Sequence, residues 1–361
     1  MAWRAILSVL FLISSNFEGG AVGAPQVPCY FIFGDSLADN GNNNNLETDA
    51  KANYPPYGID FPDGATGRFT NGRTYVDMIA ELLGFDEFIP PFATANGSDI
   101  LRGVNYASGG AGILDETGQQ LGDRISLNHQ LQNHLVMISR IREMLGADAA
   151  TYLNQCAYTI WMGSNDYINN YLMPDIYPTS KLYTPVQYAD VLIEQYKQQL
   201  KTLYSYGARR LAIFGLSEIG CTPAEISEFG TNGSQCVDKI DNEVVLFDDR
   251  LKPLINELNC ELTGAKFVYA NTYGISTTAV PAVPVSSSTC CEVKEDYQCI
   301  PFRTPCPNRS MHSYYDGFHP TETVHMEVAV IGYRALLSSD AYPFDIRVSR
   351  GSEEGYSEIK R

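Results

Sequence analysis

Short apolar runs alternate along this chain with longer stretches in which apolar residues recur at helical spacing. This alternation constrains the fold more than any other feature. The strand-like runs lie at 28–33, 103–107, 158–162, 210–214 and 266–270. The helix-like stretches lie at 74–83, 127–145, 185–206, 237–258 and 321–337. The pattern predicts a parallel sheet covered by helices on both faces, with right-handed crossovers, in a single three-layer α/β/α domain.

The first strand-like run ends at a polar turn that begins with Gly34, Asp35 and Ser36. In an open parallel sheet the ligand crevice lies outside the carboxyl ends of the strands, so a serine at this point is placed to face a substrate. Such a serine is a candidate nucleophile. An ordinary strand-to-turn junction explains the same residues, because glycine, aspartate, serine and asparagine all favour turns.

An aspartate and a histidine near the other end of the chain supply the partners that a nucleophilic serine needs. Asp316 lies three residues before His319 in the sequence DGFHP. A serine hydroxyl becomes reactive when a base accepts its proton, and a carboxylate improves the base by fixing its tautomer and stabilising the imidazolium. Glu322 and His325 have the same spacing, but the helical pattern of 321–337 favours neighbours on a helix surface.

Two further blocks follow strand-like runs and are suited to hold an oxyanion. The run at 103–107 opens into Gly109 and Gly110, whose missing side chains let backbone N–H groups approach a ligand closely. The run at 158–162 is followed by Asn165, whose amide can donate a hydrogen bond. Serine attack on an ester creates a negatively charged oxygen, and donors must already point at it. Each block alone is also explained as a turn, whereas four such blocks in order favour a site.

The four blocks together resemble the motifs of the plant GDSL esterase/lipase family, within the SGNH hydrolase superfamily, over about residues 28–343. They read GDSLADNGNN from Gly34, GVNYASGGAG from Gly103, GSND from Gly163 and DGFHP from Asp316. Stretches that resemble the plant branch are YPPYG at 54–58, GRFTNGR at 67–73, GCTP at 220–223 and the cysteine pair at 290–291. The chain departs from the family pattern at Glu292, where a glycine is common, and at 275–288, which leaves substrate preference open.

The resemblance implies a role for each matching residue. Ser36 is the implied nucleophile, His319 the base and Asp316 the carboxylate that orients the base. The implied oxyanion hole consists of the Ser36 backbone N–H, the Gly109 backbone N–H and the Asn165 side-chain amide, with the adjacent glycine as the alternative second donor. The resemblance also implies the SGNH hydrolase fold with a flavodoxin-like strand order, and a mechanism without a cofactor or a metal.

The amino terminus has the composition of a cleaved signal peptide over residues 1–24. One early arginine precedes an apolar run at 5–13, and small residues follow before position 25. The run is too short to span a bilayer, and no later stretch is long and apolar enough to do so. These features predict a secreted protein without an integral membrane span, with a hydrolase domain at 25–345 and a polar tail at 346–361.

Cysteines and sequons agree with export. Nine cysteines favour disulfides in an oxidising compartment, and their odd number leaves at least one thiol unpaired within the monomer. A zinc site is the competing interpretation of the cysteines at 290–306, but that segment lacks two separated Cys-x-x-Cys arms and contains no histidine. Three Asn-x-Ser sequences, at Asn96, Asn232 and Asn308, are candidate glycosylation sites.

The formal net charge of −17 argues against a nucleic-acid partner, because a polyanion is repelled unless a basic stripe exists. A small-molecule or lipid ester that is neutral or apolar remains compatible. The first hypothesis is a secreted serine esterase or lipase that hydrolyses carboxylic esters through an acyl-enzyme. The alternative is an acyltransferase that uses the same site to pass the acyl group to an alcohol.

Two further hypotheses belong to other classes. One is an inactive secreted glycoprotein that binds a ligand, which the intact catalytic motifs argue against. The other is a metal enzyme built on Asp316, His319, Glu322 and His325. The sequence does not fix the acyl and alcohol specificity, the disulfide pairing or the oligomeric state.

Overall fold

The computed structural model describes residues 24–273 and 288–347. Within these residues one sheet contains five strands in the order β1-β2-β3-β4-β5. The strands are β1 Tyr30–Gly34, β2 Ala157–Trp161, β3 Arg210–Phe214, β4 Lys266–Ala270 and β5 Ala341–Tyr342. The first four strands are parallel, and β5 is antiparallel to β4. The predicted α/β class with a mostly parallel sheet is confirmed.

Helices connect the strands. The α-helices are α1 Tyr75–Leu82, α2 Leu127–Leu145, α3 Ala149–Gln155, α4 Ser164–Asp166, α5 Thr179–Leu182, α6 Pro185–Ser205, α7 Pro223–Phe229, α8 Asp238–Glu261 and α9 Glu322–Tyr333. A π-helical turn occupies Tyr167–Tyr171, and 3₁₀ turns occupy Asn42–Asn45, Gly97–Leu101, Gln119–Leu121, Gly146–Asp148, Ile219–Cys221 and Arg309–Met311. The five long helices predicted from periodicity are confirmed, although the last ends at Tyr333 rather than at position 337.

The sheet is buried on both faces, which explains why its strands are almost continuously apolar. On one face Tyr158 contacts His134 of α2, with ring centroids 5.7 Å apart. On the other face Trp161 contacts Tyr75 of α1 at 4.9 Å. Residues 158 and 161 of one strand point to opposite faces because successive side chains alternate. The helices therefore form two layers with the sheet between them.

The predicted strand at 103–107 is wrong in form, because the segment makes only isolated bridges with its neighbours. Asn105 bridges Ile32 of β1, but the ladder is incomplete at the end of β1, where the N–H of Gly34 donates to Oε1 of Gln130 at 3.1 Å. The Oδ1 of Asn105 accepts the N–H of Ala107 at 2.9 Å, and its Nδ2 donates to the carbonyl of Ala38 at 2.7 Å. The segment still lies beside β1 on the side away from β2, so β1 is an interior element, as in a flavodoxin-like order.

Eight cysteines form disulfides, and Cys260 is the unpaired, exposed thiol that the odd count predicts. The pairs are Cys29–Cys156, Cys221–Cys236, Cys290–Cys306 and Cys291–Cys299. The last two pairs stabilise a second, smaller core with Tyr57, Phe69 and Tyr315, here named the cysteine-rich cluster. No helix within 24–273 or 288–347 has the length and apolar character needed to cross a bilayer.

Candidate active site

Ser36 and His319, which are 283 residues apart in the chain, meet beyond the carboxyl end of β1. The Oγ of Ser36 lies 2.8 Å from Nε2 of His319, within hydrogen-bonding distance. Ser36 lies on the turn that follows β1, and His319 lies on the loop that precedes α9. A base this close to a hydroxyl can accept its proton during attack on a substrate.

Asp316 lies behind the imidazole ring and is fully buried. Its two carboxylate oxygens are 2.9 and 2.8 Å from Nδ1 of His319, and Oδ1 also accepts the backbone N–H groups of Phe318 and His319. Burial raises the pKa of Asp316, but the imidazole and these hydrogen bonds outweigh it and hold the pKa below its usual value. The carboxylate therefore remains charged and can stabilise an imidazolium at Nδ1.

Asn165 presents its amide to the same space, at the carboxyl end of β2. Its Nδ2 donates one hydrogen bond to the carbonyl of Ala111 at 2.9 Å, and its Oδ1 accepts from Nδ2 of Asn169 at 2.7 Å. An amide nitrogen carries two protons, so the second proton is available to a substrate oxygen. Ser36 and Asn165 both line one cleft.

The two adjacent glycines that are candidates for the second oxyanion donor differ in their hydrogen bonds. The N–H of Gly109 donates to Oδ2 of Asp39 at 3.0 Å and is therefore occupied. The next residue, Gly110, lines the cleft, and its N–H has no acceptor among the described residues. Gly110 has a φ of 78°, which glycine adopts without strain. The geometry therefore favours Gly110 over Gly109 as the donor.

Buried aspartates hold the loops that carry these groups. Asp39 accepts the N–H groups of Gly41 and Asn42 at 2.8 Å each, besides that of Gly109. Burial raises the pKa of Asp39 to about 6, although these hydrogen bonds favour its charged form. In the same way, Asp166 accepts N–H groups and a hydroxyl from the loop at 113–117. These contacts orient the loops.

Two residues of the site were not assigned a role from the sequence. Tyr57 belongs to the YPPYG motif, and its hydroxyl donates to Oδ2 of Asp316 at 2.5 Å. Asn169 orients the Asn165 amide through the contact given above. The YPPYG motif can be recognised in the sequence, but the sequence around it does not indicate a contact with an aspartate 259 positions away.

A cleft of about 780 Å³ opens at Ser36 and His319. Its apolar walls include Ile168, Leu172, Met173, Ile176, Ile219 and Phe229. Acidic side chains also line it, at Asp35, Asp175, Glu218, Glu225, Glu228 and Asp296. Within the described part of the chain, no lysine or arginine contributes to this lining. The cleft therefore combines apolar walls with several acidic side chains.

The residues of the metal-enzyme alternative have other partners. Glu322 accepts a hydrogen bond from Nε of Arg73 at 2.6 Å. His325 is buried in α9 against the ring of Tyr75, and burial lowers its pKa to about 3. The cysteines at 290–306 are paired as disulfides, so they offer no thiolate to a zinc ion.

The predicted modification sites Asn96, Asn232 and Asn308 are all exposed. Exposure is a requirement for glycosylation, although occupancy stays a prediction. The predicted signal peptide lies outside the described residues apart from position 24, and so do positions 348–361 of the predicted tail.

Comparisons with known proteins give matches over nearly the whole chain. The model of the family described as GDSL-like Lipase/Acylhydrolase matches residues 30–330. GDSL esterase/lipase At1g29660 of Arabidopsis thaliana is 47% identical over 354 residues, which cover 95% of this chain and 96% of that protein. GDSL esterase/lipase At5g45670 of the same plant is 43% identical over 357 residues, covering 96% of this chain and 99% of that protein.

Proposed function

The chain belongs to the GDSL-like lipase/acylhydrolase family, and from that premise we propose that it hydrolyses carboxylic esters through an acyl-enzyme on Ser36. Membership of this family makes it a carboxylic ester hydrolase. The observation that carries the proposed mechanism is the hydrogen-bonded series from Ser36 through His319 to the buried Asp316. Together these residues provide a nucleophile, a base and a carboxylate that stabilises the protonated base.

In the proposed reaction His319 takes the Ser36 proton as Oγ attacks the ester carbonyl carbon. The carbonyl electron pair moves onto oxygen, where the N–H groups of Ser36 and Gly110 and the amide of Asn165 hold the negative charge. The bond to the alcohol then breaks, and the alcohol leaves with the proton from His319. Water next gives a proton to His319 as it attacks the acyl carbonyl carbon. The bond between this carbon and Oγ of Ser36 then breaks, Oγ takes the proton back from His319, and the acid is released.

The same residues support transfer of the acyl group to an alcohol, so the assay must distinguish transfer from hydrolysis.

We propose secretion because four disulfides suit an oxidising compartment and the three sequons are exposed. The proposed mature enzyme is one hydrolase domain at 25–345 after removal of residues 1–24, followed by a polar tail from position 346.

The test is a series of p-nitrophenyl esters of increasing acyl length, assayed with and without an added alcohol. The apolar walls predict that kcat/KM rises with chain length until the cleft is filled. New ester in the presence of alcohol would identify transfer, and acid alone would identify hydrolysis. Absence of turnover on every ester, with folded protein and an intact Ser36, would contradict the proposed function.

The acidic cleft predicts discrimination between neutral and anionic esters. Mono-p-nitrophenyl succinate should have a kcat/KM about tenfold lower than p-nitrophenyl butyrate, because a carboxylate in the cleft is repelled by several like charges. Burial raises the pKa values of Glu218 and Glu225 to about 7, so both carboxyl groups lose protons as the pH rises from 6 to 9. The butyrate-to-succinate ratio should therefore increase over this range.

Because both esters use the same catalytic groups, their ratio cancels the titration of those groups. Glu225→Gln should reduce the ratio, whereas Glu143→Gln, on the exposed surface of α2, should leave it unchanged. High salt should also reduce it through screening. A ratio that is independent of pH and salt would show that the acidic lining has no part in selection.

A further inference from the structure

Tyr57 extends the series Ser36, His319 and Asp316 by one more hydrogen bond. Its hydroxyl donates to Oδ2 of Asp316 at 2.5 Å, and the phenol oxygen of Tyr57 accepts the backbone N–H of Cys299 at 3.2 Å. The side chain is only 1% exposed. Burial, followed by the nearby Asp316 charge, raises the pKa of Tyr57 well above its ordinary value, so the phenol stays protonated and acts as a donor.

Asp316 takes its other hydrogen bonds from its own loop. Its Oδ1 accepts the backbone N–H groups of Phe318 and His319, and the His319 ring contacts both oxygens. Among the described residues, Tyr57 is the one donor to this carboxylate from outside 316–319. Tyr57 therefore connects the Asp316 carboxylate, on the loop that carries His319, to another part of the chain.

We propose that Tyr57 is a positioning residue for ester cleavage, which holds Asp316 against Nδ1 of His319 and limits the basicity of the carboxylate. The inference rests on the proposed function, since Tyr57 acts through the base that activates Ser36. A hydrogen bond to a charged acceptor is shorter and stronger than one between neutral groups, and burial strengthens it further.

The cysteine-rich cluster fixes the phenol in place. The Tyr57 ring packs against the rings of Tyr54, Phe69 and Tyr315, with centroids 5.3, 6.1 and 5.8 Å away. Phe69 also contacts the His319 ring at 4.9 Å. Cys299, whose N–H binds the phenol oxygen, is itself held by a disulfide to Cys291. The donor is thus positioned before any substrate binds.

The proposal predicts the direction of a change in the pH profile. Without the phenol, the Asp316 carboxylate becomes more basic and stabilises the imidazolium form of His319 more strongly. The acid limb of kcat/KM, where the base becomes protonated, then moves to higher pH. The other titratable groups that face this pair are Asp35 on the turn after β1, His325 on α9, and Tyr54 and Tyr315 of the cysteine-rich cluster.

The test compares Tyr57→Phe with Tyr54→Phe. Tyr54 is the matched control because its hydroxyl donates to the carbonyl of the same Cys299, at 3.0 Å, within the same motif. Tyr57→Phe should lower kcat about tenfold, the effect expected for loss of a charge-assisted hydrogen bond, with KM within about twofold. The acid limb of kcat/KM in Tyr57→Phe should move to higher pH by about half a unit. Tyr54→Phe should keep the wild-type kcat and the wild-type acid limb.

A second measurement covers the case in which Tyr57→Phe does not fold, as judged by thermal unfolding. Insertion of 3-fluorotyrosine at position 57 keeps the hydrogen bond and makes the phenol a stronger donor, so the acid limb should move to lower pH. Three results would each overturn the inference. They are a wild-type kcat and acid limb in Tyr57→Phe, a loss of kcat in Tyr54→Phe equal to that in Tyr57→Phe, and an acid limb that does not move with 3-fluorotyrosine. Failure of the proposed function is distinct, because the wild-type protein would then show no ester cleavage that depends on Ser36.

Discussion

Ser36→Ala is expected to abolish covalent labelling by an alkyl fluorophosphonate and to lower kcat by about three or more orders of magnitude. The hydroxyl 2.8 Å from Nε2 of His319 is the atom that would form the acyl bond, and an alanine methyl group cannot replace it. His319, Asp316 and the amide donors remain, so a small residual rate above that in water is expected. Intact mass after labelling and turnover of p-nitrophenyl butyrate are the measurements.

Ser217→Ala is the matched control, because Ser217 lines the same cleft and takes no part in the hydrogen-bonded series of Ser36, His319 and Asp316. It should keep both the label and the turnover. Labelling of Ser36→Ala at the wild-type rate would remove Ser36 from the mechanism. Equal losses in both variants would point to damage of the cleft and would leave the assignment of the nucleophile without support.

Much of the fold could be predicted because its central elements are buried in regular ways. The bounds of β3 and β4 coincide with those predicted, since strands covered on both faces are continuous apolar runs between polar residues. The bounds of α2 also coincide. Its periodic pattern ends at Gly146, which has a φ of 58°, a conformation that favours glycine at a helix end.

The errors fall where pairing depends on distant partners. The run at 103–107 has the composition of a strand, but its ladder with β1 is incomplete, because the N–H of Gly34 donates to Oε1 of Gln130, a distant residue on α2. The strand β5 has two residues and forms because Ala341 and Tyr342 meet the end of β4. A two-residue strand has no periodicity from which to predict it.

In the candidate site, too, local motifs could be predicted from the sequence, whereas contacts between distant residues could not. Ser36, His319, Asp316 and Asn165 each belong to a motif that can be read locally. The structure brings Ser36, His319 and Asn165 to one cleft and places Asp316 behind the imidazole, although their catalytic roles stay predictions. The choice between adjacent glycines depends on which N–H reaches the Asp39 carboxylate, and this follows from the path of two separate loops. The contact of Tyr57 with Asp316 likewise follows from tertiary folding alone.

Asn165→Ala should lower kcat by about two to three orders of magnitude, with a much smaller change in KM. The amide proton that is not donated to Ala111 is free to bind the oxygen that becomes negative during attack, and this bond is stronger in the transition state than in the ground state. Removal of one such donor therefore raises the barrier to reaction. Steady-state kinetics on the preferred p-nitrophenyl ester measure both constants.

Asn165→Asp is a more specific test of this prediction. Aspartate has the same shape as asparagine but places a hydrogen-bond acceptor where the amide donor was. A developing negative oxygen would be repelled by the new carboxylate, so kcat should fall at least as far as in the alanine variant. Asn169→Ala, which removes the partner of Oδ1, should give a smaller loss because the amide stays present but is less well oriented. A loss confined to KM in Asn165→Ala would make the residue a substrate-binding group, and the oxyanion would then depend on the backbone donors alone.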